Sequence, residues 1–125
     1  MRIVDANVIL RYLLDDHMEL SAKARSIIDE NVVTVPIEVL CEVVYVLSGV
    51  YKVERQTISS ELCGFLENTS CIAPNRNVVI KALRLFAKNN LDFVDCVLAG
   101  YSLVEGVTID TFDKKLQRLL QQKDD

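Results

Sequence analysis

Four acidic side chains give this chain of 125 residues its clearest capacity for chemistry: Asp5, Glu42, Asp95 and Asp113. Any one of them can be explained as a turn or helix-capping residue, so the argument depends on their combination. Clusters of carboxylate oxygens without His or Cys suit hard cations such as Mg²⁺ and Mn²⁺. The four acids together therefore predict a site for divalent metal ions.

Two of these acids follow predicted strands. Asp5 directly follows Arg2-Ile3-Val4, and Val107-Thr108-Ile109 is followed by both Asp110 and Asp113. In open parallel sheets, ligands bind beyond the carboxyl ends of the strands. We therefore expect these acids at one edge of the sheet, and either Asp110 or Asp113 can face the metal.

The other two acids lie on predicted helices. The helix from Pro36 to Leu47 is apolar nearly all round and carries only two charges, Glu38 and Glu42. If this helix is buried, Glu42 needs a metal, a proton or a cation, because an unpaired interior carboxylate is very costly. The alternative is that Glu42 belongs to a narrow solvated stripe on the helix.

Near the start of a later helix, Asp92 is assigned as the helix cap and Asp95 as the metal ligand.

Several other chemistries lack the residues that they need. The one histidine, His17, lies in the acidic segment DDHMEL and is expected to be solvated. A zinc hydrolase or a Ser-His-Asp enzyme needs an imidazole, so both are disfavoured. The four cysteines form no C-x-x-C pair and are expected to be reduced core residues.

The charge balance is consistent with a site that gathers acids. The chain has 14 basic and 18 acidic residues, for a net charge of −4. Without the four candidate acids the balance is 14 against 14, because 18 − 4 = 14. The protein is not expected to grip a phosphate ligand by bulk positive charge, so metal ions would have to supply that charge.

The apolar pattern predicts an α/β fold, with a parallel sheet of about four to five strands flanked by helices on both faces. Strands are predicted at 2–5, 32–35, 71–73 and 107–109. Helices are predicted after a cap at Asn7, over 19–30, 36–47, 54–67 and 77–88, from a cap at Asp92 to a stop at Gly106, and over 113–120. We expect one domain over 1–120 and a frayed tail over 121–125.

The first ten residues lack the pattern of a signal peptide, and no run of 18 apolar residues occurs in the chain. We therefore expect a cytoplasmic protein that does not enter a membrane.

Four motifs follow one another along the chain: VDAN at 4–7, a Pro-led helix carrying Glu42, DFVDCVLAG at 92–100 and TFDKKL at 111–116. With these motifs in this order, the chain resembles the PIN-domain ribonucleases along its whole length. More narrowly, the chain resembles the VapC-type toxins of toxin–antitoxin pairs. The resemblance implies catalytic, metal-binding acids at Asp5, Glu42, Asp95 and Asp113, supported by Asn7 and Thr111. The chain departs from the family at Ala6, where Thr or Ser is common, so a supporting hydroxyl is expected to be missing.

The resemblance further implies an endoribonuclease that uses Mg²⁺ or Mn²⁺ for hydrolysis without a covalent intermediate. Single-stranded or looped RNA is the expected substrate, with 5′-phosphate and 3′-hydroxyl products. A homodimer and a cognate antitoxin are the expected protein partners. Candidate phosphate contacts are Arg11, Lys52, Arg55, Lys114 and Lys115, and the apolar residues Tyr45, Val46, Val50 and Tyr51 are candidates for a partner surface or for core filling.

Two other functions are consistent with parts of the sequence. A catalytically silent PIN-like module that only binds a protein partner is suggested by Ala6 and by the apolar segment 45–51. A third alternative is a metal-dependent phosphatase on another parallel sheet, with Asp5 of the first strand as its nucleophile. That reaction usually needs a second acid two residues later, where this chain has Asn7.

Overall fold

A computed structural model describes residues 1–122 of the chain, and the predicted tail beyond Gln122 lies outside these residues. The described part contains seven helices, each within about two residues of its predicted ends. They are α1 (Ala6–Leu14), α2 (Met18–Glu30), α3 (Ile37–Gly49), α4 (Arg55–Asn68), α5 (Arg76–Lys88), α6 (Phe93–Glu105) and α7 (Lys114–Leu120). The helix predictions are therefore confirmed.

The predicted parallel sheet of four to five strands is wrong. Three of the four predicted strands meet only through single parallel bridges, from Ile3 to Thr34 and from Thr34 to Ile72. The Thr34 N–H donates to the Arg2 carbonyl at 2.7 Å, and the Ile72 N–H donates to the Val33 carbonyl at 2.8 Å. The fourth segment, 107–109, forms no bridge within residues 1–122. The chain is therefore all-helical over its described length.

The short bridges still fix where α1 and α3 begin. Val4, Val33 and Val35 are buried beside the bridged residues, whereas Ile3 and Ile72 remain 58% and 51% exposed. Each apolar run has only three or four residues, so it buries one or two side chains and then ends. Most of the buried apolar residues consequently lie on the helices.

The core is closest packed where α5 crosses α6, the pair of helices with the most extensive contact. A Cβ atom added at Gly100 would lie 2.9 Å from the Val78 carbonyl oxygen and 3.2 Å from Val78 Cγ1. Glycine therefore allows the two helix backbones to approach. At the far end of α6, Gly106 adopts φ 70° and ends the helix as predicted.

Two helix caps differ from the prediction. Asp5, and not Asn7, caps α1, because its Oδ1 accepts a hydrogen bond from the Val8 N–H at 3.2 Å. His17 was expected to be merely solvated, but its Nδ1 accepts from the Leu20 N–H at 3.1 Å and caps α2. Both side chains satisfy N–H groups that the first helical turn leaves without a partner.

The four cysteines are free thiols, with Cys71 and Cys96 buried and Cys41 and Cys63 half-buried. Burial raises the pKa of all four, and it raises that of Cys96 to about 12. None of the helices described for residues 1–122 is long and apolar enough to cross a membrane.

Candidate metal centre

Asp95 and Asp113 are the two candidate acids that the fold brings together. Asp95 lies in the first turn of α6, Asp113 lies directly before α7, and these two helices pack on each other. Burial raises the pKa of the Asp95 carboxyl, and the nearby carboxylates of Asp113 and then Asp92 raise it further. Each of these effects disfavours a charged Asp95 in the absence of a cation.

The loop before α7 sets the position of Asp113. Asp113 Oδ1 accepts from the Leu116 N–H at 2.8 Å, which caps α7. The Thr111 hydroxyl accepts from the Asp113 N–H at 3.1 Å, and Gln117 Nε2 donates to the Thr111 carbonyl at 2.7 Å. Thr111 thus supports Asp113 through its backbone. Asp110 is exposed and is not among the charges that shift the Asp95 pKa.

Asp92 does not perform the role assigned to it from the sequence. It stands at the N-cap position of α6 with extended backbone angles, but its side chain makes no capping hydrogen bond. Its carboxylate therefore lies free beside Asp95. The assignment of the cap to Asp92 was wrong, because the sequence locates the helix start but not the direction of the side chain.

Asp92 and Asp95 both line a cavity of about 510 Å³, called here the Asp95 groove. Its walls come from α3, from the start of α4 and from the start of α6. The polar and aromatic residues that line it include Cys41, Tyr45, Ser48, Arg55, Asp92 and Asp95.

Asp5 lies at a second cavity, of about 470 Å³, called here the Asp5 cavity. This cavity also contains Arg2, Val8 and Val39. The capping bond from Val8 engages Asp5 Oδ1. Val39 belongs to α3, so one helix contributes residues both to the Asp5 cavity and to the Asp95 groove.

Glu42 lies on α3 between these two cavities, although the reasoning that first selected it was wrong. Its side chain is exposed, so burial does not force it to find a partner, and the solvated stripe is correct. Helix geometry nevertheless gives Glu42 a defined direction. Three residues turn a helix by about 300°, so Val39 and Tyr45 lie about 60° to either side of Glu42. Glu42 therefore faces between the residue that lines the Asp5 cavity and the one that lines the Asp95 groove.

Comparison with known proteins gives one family: the PIN domain model matches residues 2–120. The chain belongs to the PIN domain family. Searches of curated proteins and of solved structures found no match. PIN domains are generally nucleases, which are hydrolases, so membership indicates nuclease activity and binding of RNA.

The acids of this PIN domain have the right donor chemistry for a divalent ion, but they are not gathered tightly. Among residues 1–122, no three Asp, Glu, His or Cys side chains lie close enough to hold one metal ion. Mg²⁺ is commonly held by one or two carboxylates, with water and substrate phosphate completing its shell. Of the four candidate acids, Asp95 and Asp113 are the two whose carboxylates interact, and Asp5 and Glu42 lie outside this pair.

Two of the five candidate phosphate contacts are engaged within this PIN domain. Arg55 Nη1 donates to the carbonyls of Asn89 and Leu91, both at 2.7 Å, and the guanidinium lies 4.1 Å from the Phe86 ring centroid. Arg11 donates to Asp16 at 2.7 Å and to the Tyr51 hydroxyl at 2.9 Å. Lys52, Lys114 and Lys115 are exposed.

The Asp95 groove was not predicted from the sequence as a place for a ligand. Tyr45 was noted only as part of an apolar surface, yet it is 75% exposed and lines the same groove as Asp95. The spacing of Cys41, Tyr45 and Ser48 on one face of α3 was visible in the sequence. What that face meets depends on how α3 lies against α6, which the sequence does not give.

Proposed function

We propose that this PIN domain is a metal-dependent endoribonuclease that hydrolyses RNA phosphodiester bonds and acts as the toxin of a toxin–antitoxin pair. The proposal is supported by family membership and, within the chain, chiefly by the interaction of Asp95 with Asp113. Burial and the nearby Asp113 carboxylate disfavour the charge on Asp95. Mg²⁺ or Mn²⁺ held between the two carboxylates would offset this cost.

In the proposed mechanism, Asp95 and Asp113 would hold the ion, and Asp5 and Glu42 would complete the acidic site from α1 and α3. A bound Mg²⁺ or Mn²⁺ supplies positive charge for the phosphate and lowers the pKa of a water molecule. Thr111 orients Asp113 through the Asp113 N–H. The caps of α1 and α7 fix the backbone beneath Asp5 and Asp113, so the two acids are held in place before substrate binds.

The proposed substrate is single-stranded or looped RNA, because an unpaired backbone can enter an open groove between helices. The proposed partners are a second copy of the chain and a small antitoxin, with cytoplasm as the location. Val50 and Tyr51 are 66% and 40% exposed at the end of α3. Exposed apolar side chains next to each other are typical of such contacts.

The decisive experiment measures cleavage of a long single-stranded RNA in Mg²⁺, in Mn²⁺ and in EDTA. The wild-type chain should cleave only with a divalent ion and leave 5′-phosphate ends. Asp5→Asn should lose at least ~100-fold in rate, because Asp5 is proposed to complete the acidic site in which the ion acts on the phosphate. Unchanged cleavage by a folded Asp5→Asn protein would refute the role of Asp5.

The distance between the candidate acids favours one alternative function. In this alternative, the chain is a catalytically silent PIN domain that only binds a protein. This candidate is motivated by the lack of a three-residue metal cluster within residues 1–122 and by Ala6, which is buried. It predicts that Mn²⁺ does not change the melting temperature. An Mn²⁺-dependent rise that is absent in Asp5→Asn would exclude it.

A further inference from the structure

The Asp95 groove presents an aromatic ring that the metal site does not use. Tyr45 is 75% exposed, although it lies one turn beyond the half-buried Cys41 on the same face of α3. Both residues line the groove together with Asp95. An exposed ring at the wall of a groove, beside a candidate catalytic carboxylate, offers a flat apolar surface to a bound ligand.

The size and depth of the groove fit a ring system. Its volume of about 510 Å³ is within the ordinary range for small-molecule sites. Its floor is apolar, because Phe86 and Phe93 are 3% and 5% exposed and pack edge to face at 5.8 Å. Ser48 and Asp92 add one hydroxyl and one carboxylate, each able to accept a hydrogen bond.

The charges around the groove disfavour a phosphate inside it. Asp92 and Asp95 would repel an anion. Arg55 is the one cationic side chain among residues 1–122 that lines the groove, and its Nη1 is engaged by backbone carbonyls. An uncharged ligand with amino or imino hydrogens is complementary to these acceptors. A nucleobase is such a ligand, and an RNA chain whose phosphate lies at Asp95 carries a base within reach.

We propose that the Asp95 groove binds the base of one unpaired nucleotide beside the scissile phosphate, with the ring of Tyr45 stacked on that base. This inference rests on the proposed ribonuclease function and names the part of the substrate that the groove recognises. Stacking is tolerant of sequence, since every base has a π face, and it requires that the base be unpaired. The groove therefore selects single-stranded RNA near the cut.

The test compares two RNA hexamers that carry the same charge, one with 2-aminopurine at the central position and one with an abasic ribose there. Binding is measured with Mg²⁺ in an Asp5→Asn background, which keeps the groove intact. The wild-type groove should prefer the hexamer with the base. Tyr45→Ala should lower that affinity by about 5- to 150-fold, Tyr45→Phe should retain it, and neither should change binding of the abasic hexamer.

Met18→Ala is the matched control, because Met18 is 91% exposed and belongs to α2, outside the groove. Equal affinity of Tyr45→Ala and its parent for both hexamers would overturn the inference. So would a change from dimer to monomer in Tyr45→Ala with RNA affinity unchanged, which would assign the ring to contact between copies. If the wild-type chain cleaves RNA while Tyr45→Ala binds the base normally, the ribonuclease proposal stands and the base site fails.

Discussion

At the scale of single residues, the surroundings of Asp95 are unfavourable to its own charge. It is half-buried in the first turn of α6, with Asp113 and Asp92 close enough to raise its pKa after the effect of burial. Such an arrangement costs stability in the empty protein and becomes favourable when a cation is bound. A carboxylate with such an unfavourable electrostatic environment is typical of a functional site.

Removing the Asp95 charge should therefore change stability in opposite directions with and without metal. In EDTA, Asp95→Asn should raise the melting temperature by about 2 to 5 °C, because it removes carboxylate repulsion from a partly desolvated site. In Mn²⁺, the wild type should gain stability and the variant should not. Differential scanning calorimetry of both proteins measures this, and a lower melting temperature for Asp95→Asn in EDTA would contradict the account.

The buried thiol of Cys96 gives a pH-dependent prediction at the same scale. Its pKa is raised to about 12, so the folded protein keeps it protonated while the unfolded chain ionises it at a lower pH. The contribution of the Cys96 thiol to the free energy of unfolding is therefore present at neutral pH and is lost as pH rises toward 12. Native Cys96 should resist iodoacetamide at pH 8, and all four thiols should react in urea. Rapid native alkylation of Cys96, read by mass spectrometry, would contradict the burial.

Residue types and spacing made Asp95, Asp110 and Asp113 candidates, but they did not give the relations between their side chains. Asp113 was distinguished from Asp110 only when the fold placed it beside Asp95. Glu42 was selected on the condition that its helix is buried, and its side chain is exposed. Asp92 was assigned a capping bond that it does not make. Each difference depends on the direction of a side chain, which follows from tertiary packing.

At the scale of elements, the contact between α5 and α6 holds the start of α6, and so Asp95, in place. Gly100 lies in that contact. A Cβ atom added there would lie 2.9 Å from the Val78 carbonyl oxygen. Gly64 is a helical glycine in α4 whose added Cβ would meet only Asn68 Nδ2 at 3.8 Å. The two glycines differ in packing but share the low helix propensity of glycine.

This difference predicts opposite effects of the same substitution. Gly100→Ala should lower the free energy of unfolding by about 1 to 3 kcal/mol, because the backbone of α5 has to move. Gly64→Ala should raise it by about 1 kcal/mol, through helix propensity alone. Urea denaturation of both variants measures the two values. Equal stabilisation by both substitutions would mean that α5 and α6 do not approach as closely as described.

The helices could be predicted from apolar periodicity and the strands could not be. The periodic faces of α2 and α5 extend over 13 residues each, which is long enough for the period to be unambiguous. The apolar runs at 2–5, 32–35 and 71–73 are too short to show whether they form a continuous β-ladder or a single β-bridge. The backbone pairs there only at Ile3, Thr34 and Ile72.

At the scale of the whole molecule, the net charge of −4 makes RNA binding depend on a cation. Two of the candidate basic contacts, Arg11 and Arg55, are engaged by the protein itself, and the acids on the remaining surface balance the bases. The protein therefore has little bulk attraction for a phosphate backbone. The acidic site has to bind its metal before it can bind RNA productively.

The most direct test of this account is the rate of RNA cleavage as a function of Mn²⁺ concentration for four proteins: the wild type, Asp95→Asn, Asp113→Asn and Asp110→Asn. Asp110→Asn is the matched control, since it removes the same charge three residues from Asp113 at an exposed position. We predict that Asp110→Asn cleaves like the wild type, while Asp95→Asn and Asp113→Asn lose at least ~100-fold at every Mn²⁺ concentration. Wild-type rates in folded Asp95→Asn and Asp113→Asn proteins would contradict the proposed metal centre.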